Sequence, residues 1–143
     1  MTMSSGMFEI SSMANGQRTV SINLIRTAWQ RVYLGGPVTS WAVRKVDDKV
    51  FSLAIGGYPY TGILDGNLVA TIFADQDQDW RIQYQDSQNA YTIASSSDPS
   101  RVWTLSDLDP STSEISLKPL VSTKSMPPQI LSSQLWRLKS AID

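Results

Sequence analysis

Short runs of alternating apolar and polar residues fill most of the chain, and turn-forming residues separate them. Val, Ile, Thr and aromatic residues dominate these runs, as in TVSIN at 19–23, KVFSLAI at 49–55, WRIQY at 80–84 and VWTLS at 102–106. Gly and Pro lie between the runs, and no window keeps the period of a capped helix. The pattern therefore predicts an all-β domain of about a dozen strands.

The aromatic residues repeat along the chain in three units of similar plan. Two further strands can be placed in every unit, and Asp65-Gly66 in the second unit is a strong hairpin signal. The third unit carries an insertion of about a dozen residues. Each unit opens with an aromatic residue in an apolar strand and closes with a tryptophan: Phe8 to Trp41, Phe51 to Trp80, and Tyr91 to Trp136.

Four strands in each of three units predict a β-trefoil, in which three hairpins cap a six-stranded barrel. We place the pseudo-threefold repeats at about residues 6–46, 47–86 and 87–139 of a single domain spanning 1–143. A three-bladed propeller falls below the usual range of that fold, and a two-sheet sandwich has no reason to repeat three times. Because buried aromatic residues dominate small cores, the barrel core is predicted to contain Trp41, Trp80 and Trp136.

Composition narrows the function more than any motif does. The chain has no His and no Cys, which excludes Ser-His-Asp and Cys-His catalysis, the usual zinc sites, and haem held by His or Cys. The net charge is −1 and the basic residues are scattered, so we expect no nucleic-acid partner. No apolar run is long enough to span a bilayer, and the first residues do not resemble a secretory signal. We expect a cytoplasmic protein without a membrane partner.

The remaining carboxylate, lysine, serine and tyrosine side chains form no convincing catalytic or metal site. Asp75, Asp77 and Asp79 have the D-x-D-x-D spacing of a calcium loop. However, Trp80 and Asp86 stand where that loop needs Gly and Glu, so we interpret the run as a solvated turn. Nothing singles out a carboxylate pair for glycoside hydrolysis. We expect a binding module that is not an enzyme and that holds no metal or cofactor.

Two Q-x-W triplets leave a carbohydrate partner open. They are Gln78-Asp79-Trp80 and Gln134-Leu135-Trp136, whereas the first unit has Thr39-Ser40-Trp41. The triplets resemble those of the ricin-B-type trefoil lectins, in which they help to build the core behind a sugar site. A sugar pocket also needs an Asp and an aromatic platform in the same unit. A lectin is therefore one alternative function.

A longer series of motifs, taken in order along the chain, resembles a different family. The series is GMFEI, PVTSWAV, FSLAI, GNLVATIFADQDQDWRIQY, AYTIAS, VWTLSD, ISLKPL, PPQI and QLWRL. In the order and spacing of these motifs the chain is similar to the fungal trefoil serine protease inhibitors, the cospin-like family of mushrooms, most strongly from about residue 37 to residue 138. The resemblance implies a β-trefoil, cytosolic residence in fruiting bodies, and inhibition of trypsin-like proteases by a loop between the second and third strands.

The predicted strands of the first unit place residues 23–30 in that loop. A trypsin-like enzyme has a deep pocket with an Asp at its base, and Arg26 supplies the charge-assisted partner. The family also uses asparagine at its primary site, so Asn23 is the alternative primary contact. We expect a monomer that occludes the protease active site reversibly, as a substrate would. The predicted protease-binding residues are Asn23, Leu24, Ile25, Arg26, Thr27, Ala28 and Trp29.

Two alternatives to this loop assignment stay open. Leu24, Ile25 and Trp29 are large apolar groups typical of interface anchors, but Ile25 and Trp29 would equally serve to plug the barrel mouth, with Arg26 as a solvated charge. Related mushroom trefoils inhibit papain-like cysteine proteases through other loops, which here are SSMANGQR at 11–18 and LGGPVTS at 34–40. The insertion STKSMPPQILSSQ at 122–134 is interpreted as a structural lid.

Overall fold

The computed structural model describes residues 4–14, 19–23, 27–105 and 114–141. These residues form an all-β protein, as predicted, with no α-helix among them. Three short 3-10 turns lie at Ala74–Gln76, Asp86–Gln88 and Ser132–Gln134. The strands are β1 (Gly6–Ser12), β2 (Val20–Ser21), β3 (Trp29–Arg31), β4 (Tyr33–Leu34), β5 (Trp41–Asp47), β6 (Val50–Ile55), β7 (Tyr60–Leu64), β8 (Asn67–Thr71), β9 (Trp80–Gln85), β10 (Ala90–Ser95), β11 (Arg101–Leu105), β12 (Ile115–Pro119) and β13 (Trp136–Ser140).

Six of these strands pair in a closed antiparallel ring. The order of neighbours is β1, β5, β6, β9, β10 and β13, and β13 pairs again with β1. Closure satisfies the backbone groups that an open sheet would leave unpaired at its edges. One cross-strand contact recurs three times in the ring, and aromatic pairs of this kind add stability to a sheet. The partners are Phe8 with Trp41, Phe51 with Trp80, and Tyr91 with Trp136.

Three hairpins accompany the ring. They are β2 with β4, β7 with β8, and β11 with β12. The turn of the second hairpin is the predicted one, since Asp65 and Gly66 have φ values of 52° and 78° and a two-residue hairpin turn needs positive φ. Because β8 also pairs with β12 and with β3, backbone hydrogen bonds join the hairpins to one another.

The first unit departs from the prediction of twelve strands. Its third strand is interrupted at Val32, so β3 pairs with β8 whereas β4 pairs with β2, and the described residues contain thirteen strands. Val32 is buried and donates its N–H to the Leu68 carbonyl at 3.1 Å. The predicted loop over 23–30 is therefore too long: Trp29 and Gln30 are strand residues, because β8 offers them backbone partners.

Four tryptophans fill the centre of the core. Trp41, Trp80 and Trp136 are fully buried, which confirms their predicted place in the core. Each packs against Trp103, with ring centroids 5.7, 5.6 and 5.9 Å away, so the three closing tryptophans surround a fourth that the sequence pattern did not single out. The indole N–H groups of the three outer tryptophans donate to Val20 O, Thr61 Oγ1 and Trp103 O respectively.

Candidate functional site

The predicted loop connects β2 to β3, and the structure describes its two ends. Asn23, Thr27 and Ala28 are exposed, and Trp29 begins β3 with 38% of its surface exposed. Leu24, Ile25 and Arg26 lie outside the described residues. The geometry of the site is therefore the geometry of the two stems that lead into and out of residues 24–26.

The first stem is held by a side-chain amide. Gln30 Oε1 accepts the N–H of Asn23 at 2.7 Å, and Gln30 Nε2 donates to the Asn23 carbonyl at 3.1 Å. The Gln30 side chain thus pairs with the Asn23 backbone as a neighbouring strand would. Tyr33 donates its hydroxyl to Asn23 Oδ1 at 2.9 Å. Both the backbone and the side chain of Asn23 are consequently fixed to residues of β3 and β4.

The second stem is held by one tyrosine from another part of the chain. The Tyr58 hydroxyl donates to the Thr27 carbonyl at 2.8 Å and accepts the Thr27 N–H at 3.3 Å and Gln30 Nε2 at 3.0 Å. Only 7% of Tyr58 is exposed. Burial alone would raise the pKa of the phenol, but the hydrogen bonds with Thr27 and Gln30 outweigh it, so the pKa lies below its ordinary value. Tyr58 and Gln30 together tie the two stems to each other, and we call this pair the stem clamp.

A tight turn between β6 and β7 presents Tyr58 to the loop. Ile55 and Tyr58 exchange backbone hydrogen bonds at 3.2 and 3.0 Å. Gly56 between them has a φ of +59°, and a Cβ there would lie 2.8 Å from Ile22 Cδ1, so glycine fits this position for two reasons. The stretch GGYP at 56–59 announces a turn, but nothing local indicates that its tyrosine contacts Thr27. Sequence reasoning therefore missed the stem clamp.

The two alternative inhibitory loops are those at residues 34–40 and 11–18, and the first of them makes close contacts within the fold. A Cβ on Gly36 would overlap the Tyr33 ring, and the Ser21 hydroxyl donates to the Pro37 carbonyl. The loop at 34–40 thus packs closely on the neighbouring hairpin. In the loop at 11–18, residues 15–18 lie outside the described residues.

Both glutamines of the Q-x-W triplets are used within the fold. Gln134 is buried, accepts the Val121 N–H at 2.9 Å and donates to the Pro119 carbonyl at 2.9 Å. Gln78 Oε1 accepts from the Ser95 and Ser97 hydroxyls, both at 3.3 Å. With the triplet tryptophans also buried, these residues offer no platform on which a sugar ring could stack.

The acidic run at 75–79 forms a turn that leads into β9. Asp75 lies in the 3-10 turn, and Asp77 follows it. Within the described part of the chain, no three His, Cys, Asp or Glu side chains lie close enough together to hold a metal ion. No helix among the same residues is long and apolar enough to cross a membrane.

Comparison with known proteins relates this geometry to a family. Residues 1–140 match the family model described as Peptidase inhibitor I66. Among solved structures, a proteinase inhibitor from Coprinopsis cinerea is 22% identical with a TM-score of 0.83, over 98% of this chain and 100% of that one. A Polyporus squamosus lectin is 16% identical with a TM-score of 0.68, over 96% of this chain and 50% of the lectin chain. No curated protein sequence matches the chain. At these identities the solved structures show a shared fold, and the family model carries the functional information.

Proposed function

The chain belongs to the Peptidase inhibitor I66 family, and we propose that it inhibits trypsin-like serine proteases with the loop at residues 23–28, which leads into Trp29 of β3. The observation that carries this proposal is the stem clamp: Gln30 holds the backbone of Asn23, the buried Tyr58 holds the backbone of Thr27, and Gln30 donates to the Tyr58 hydroxyl. A protein that binds a protease without being degraded has to present such a preorganised segment. We propose no catalytic activity for the chain itself.

The scaffold that we propose for this loop is a β-trefoil. The closed ring of six strands and the three hairpins support this interpretation, as does the threefold set of tryptophans around Trp103. In such a scaffold the loop between β2 and β3 belongs to the first hairpin. Its shape is therefore supported by a core that needs no disulfides.

Arg26 is our choice for the side chain that enters the specificity pocket. Asn23 is fixed on both its backbone and its side chain by Gln30 and Tyr33, so its side-chain oxygen already accepts a hydrogen bond within the inhibitor. Arg26 lies in the segment between the two clamped stems, and its guanidinium suits an Asp at the base of a pocket. We therefore assign the primary contact to Arg26 and a stem role to Asn23.

The stem clamp also explains how binding would remain reversible. Fixing the loop before binding reduces the ordering entropy that association would otherwise cost, and this gain appears as affinity. If the protease cuts the peptide bond after Arg26, the two new chain ends stay near each other. Gln30 continues to hold Asn23 on one side of the cut, and Tyr58 continues to hold Thr27 on the other side. Resynthesis of the bond is then an intramolecular step with a high effective concentration of the two ends. The inhibitor would act as a substrate that is cut slowly and rejoined.

Titration of trypsin with the protein tests the proposal. We expect residual activity on a small chromogenic substrate to fall linearly to zero near a one-to-one ratio, and Arg26→Ala to abolish the inhibition while Arg26→Lys retains it. Lys124→Ala is the matched control, because Lys124 is an exposed cation on another loop. Inhibition that survives Arg26→Ala and disappears in Lys124→Ala or Asn23→Ala would overturn the assignment. Inhibition of papain alone would overturn the protease class.

A further inference from the structure

An exposed apolar surface adjoins the proposed inhibitory loop. Ile72 and Phe73, which follow β8, are 52% and 43% exposed, and Trp29 is 38% exposed. The Ile72 N–H donates to the Ala28 carbonyl at 3.0 Å, and Trp29 pairs with Thr71. The backbone segments that carry these three large apolar side chains are thus paired beside the second stem of the loop. Large exposed apolar groups next to a binding segment commonly mark an interaction surface.

The segment that carries Ile72 and Phe73 is rigidly attached to the fold. Thr71 Oγ1 accepts the Phe73 N–H at 3.0 Å and donates to Gln76 Oε1 at 2.7 Å. The Gln76 N–H donates to the Phe73 carbonyl at 3.0 Å. A Cβ on Gly62 would overlap the Gln76 carbonyl, which shows how closely the segment packs on β7. These side chains are exposed on a fixed backbone and would cost little entropy to bind.

The same segment changes from apolar to acidic along its length. Asp75, Asp77 and Asp79 follow Phe73 within six residues. Partial burial, and after it the negative charge of Asp79, raise the pKa of Asp77, although the charge of Arg44 acts in the opposite direction. None of the three carboxylates forms an ion pair within the described residues. They present a local negative field beside the apolar surface.

We propose that Trp29 and residues 72–79 form a second contact surface for the target protease. This inference rests on the proposed function and adds a criterion for the choice of enzyme. The surface is continuous with the loop through the Ala28–Ile72 hydrogen bond, so an enzyme seated on the loop covers it. Its charge suits a protease whose active-site cleft is bordered by an apolar patch and then by basic residues. The loop selects for a trypsin-like pocket, and this surface selects among enzymes that share the pocket.

The apolar and the acidic residues of this surface are expected to affect different rate constants of protease binding. Removing apolar anchors shortens the lifetime of a complex, so Ile72→Ser with Phe73→Ser is expected to weaken trypsin binding about 10- to 100-fold, mainly through the dissociation rate. Neutralising rim charges acts on encounter, so Asp75→Asn with Asp79→Asn is expected to slow association with a basic-rimmed protease several-fold at low salt. That difference should shrink at high salt because the charges are screened.

Stopped-flow association and dissociation with the full chain test the inference. Val46→Ser is the matched control, since Val46 is 51% exposed on β5 and is expected to change nothing, and thermal unfolding of each variant checks that it folds. If Arg26→Ala abolishes inhibition but the Ile72/Phe73 variant binds like the parent, the second surface is refuted and the proposed function stands. If the parent inhibits no trypsin-like enzyme, both proposals fail together. Equal losses for the Ile72/Phe73 and Val46 variants would also refute the second surface.

Discussion

Replacement of Tyr58 by Phe is the sharpest test of the stem clamp. The change removes one oxygen atom, which donates to the Thr27 carbonyl at 2.8 Å and accepts from the Thr27 N–H and from Gln30. The ring and its packing are kept. Because Thr27 is exposed, water can replace the lost partners there, and we expect the free energy of unfolding to fall by only about 1–2 kcal/mol.

The effect on inhibition is expected to exceed what this stability loss implies. Freeing the backbone of a residue costs about 1–2 kcal/mol when binding has to order it again. If Thr27 alone is freed, the inhibition constant should rise about 5- to 30-fold. The cut ends would also drift apart, so cleavage after Arg26 should become faster and permanent. Inhibition constants against trypsin, and mass spectrometry of the inhibitor over time, measure the two effects.

Tyr60→Phe provides the control for this experiment. Tyr60 lies on the adjoining strand β7, and its hydroxyl makes no hydrogen bond with any described residue, so the same atom is removed without touching the loop. Gln30→Leu, which breaks the other half of the clamp, should reproduce the Tyr58→Phe result. A Tyr58→Phe variant that loses stability yet inhibits and resists cleavage like the parent would show that the clamp does not govern the loop.

Two further predictions concern the scaffold. The indole N–H of Trp103 is buried without an acceptor among the described residues, whereas that of Trp80 donates to Thr61 at 2.8 Å. Trp103→Phe should therefore cost about 1 kcal/mol less than Trp80→Phe in urea unfolding, and an equal or larger cost at Trp103 would contradict this. Asp77 has a pKa raised by burial and by Asp79, so folding favours its protonated form, and the stability it contributes below its unfolded pKa of about 3.8 is lost as pH rises through the folded pKa. Asp77→Asn should accordingly raise stability at pH 7 and leave it unchanged at pH 3, and a gain that persists at pH 3 would refute the electrostatic explanation.

Features that depend on neighbours in the chain were predictable. The alternating pattern indicated strands because side chains on a strand point to opposite faces with a period of two. The Asp65-Gly66 turn was predictable because few residue pairs tolerate positive φ at both turn positions. Trp41, Trp80 and Trp136 were recognised as core because their repeat along the chain mirrors a repeat in space.

Features that depend on partners far away in the chain could not be predicted from the sequence. Trp103 lies within an ordinary-looking strand, and its place at the centre of three other indoles follows only from the way the barrel closes. Trp29 was predicted in the loop because the residues around it do not alternate between apolar and polar. In the structure it belongs to β3, because its backbone pairs with β8. Tyr58 of the stem clamp lies 31 residues along the chain from Thr27, which it holds, and no local signal connects the two residues.

The amino-acid sequence by itself determined the class of the fold, the spacing of its repeats and the absence of His and Cys chemistry, because these follow from residue types and short-range periodicity. Tertiary structure alone decided which tyrosine holds the loop, which glutamine closes it, and which exposed side chains stand beside it. The physical reason is that strand pairing brings together residues whose separation along the chain carries no information about their contact.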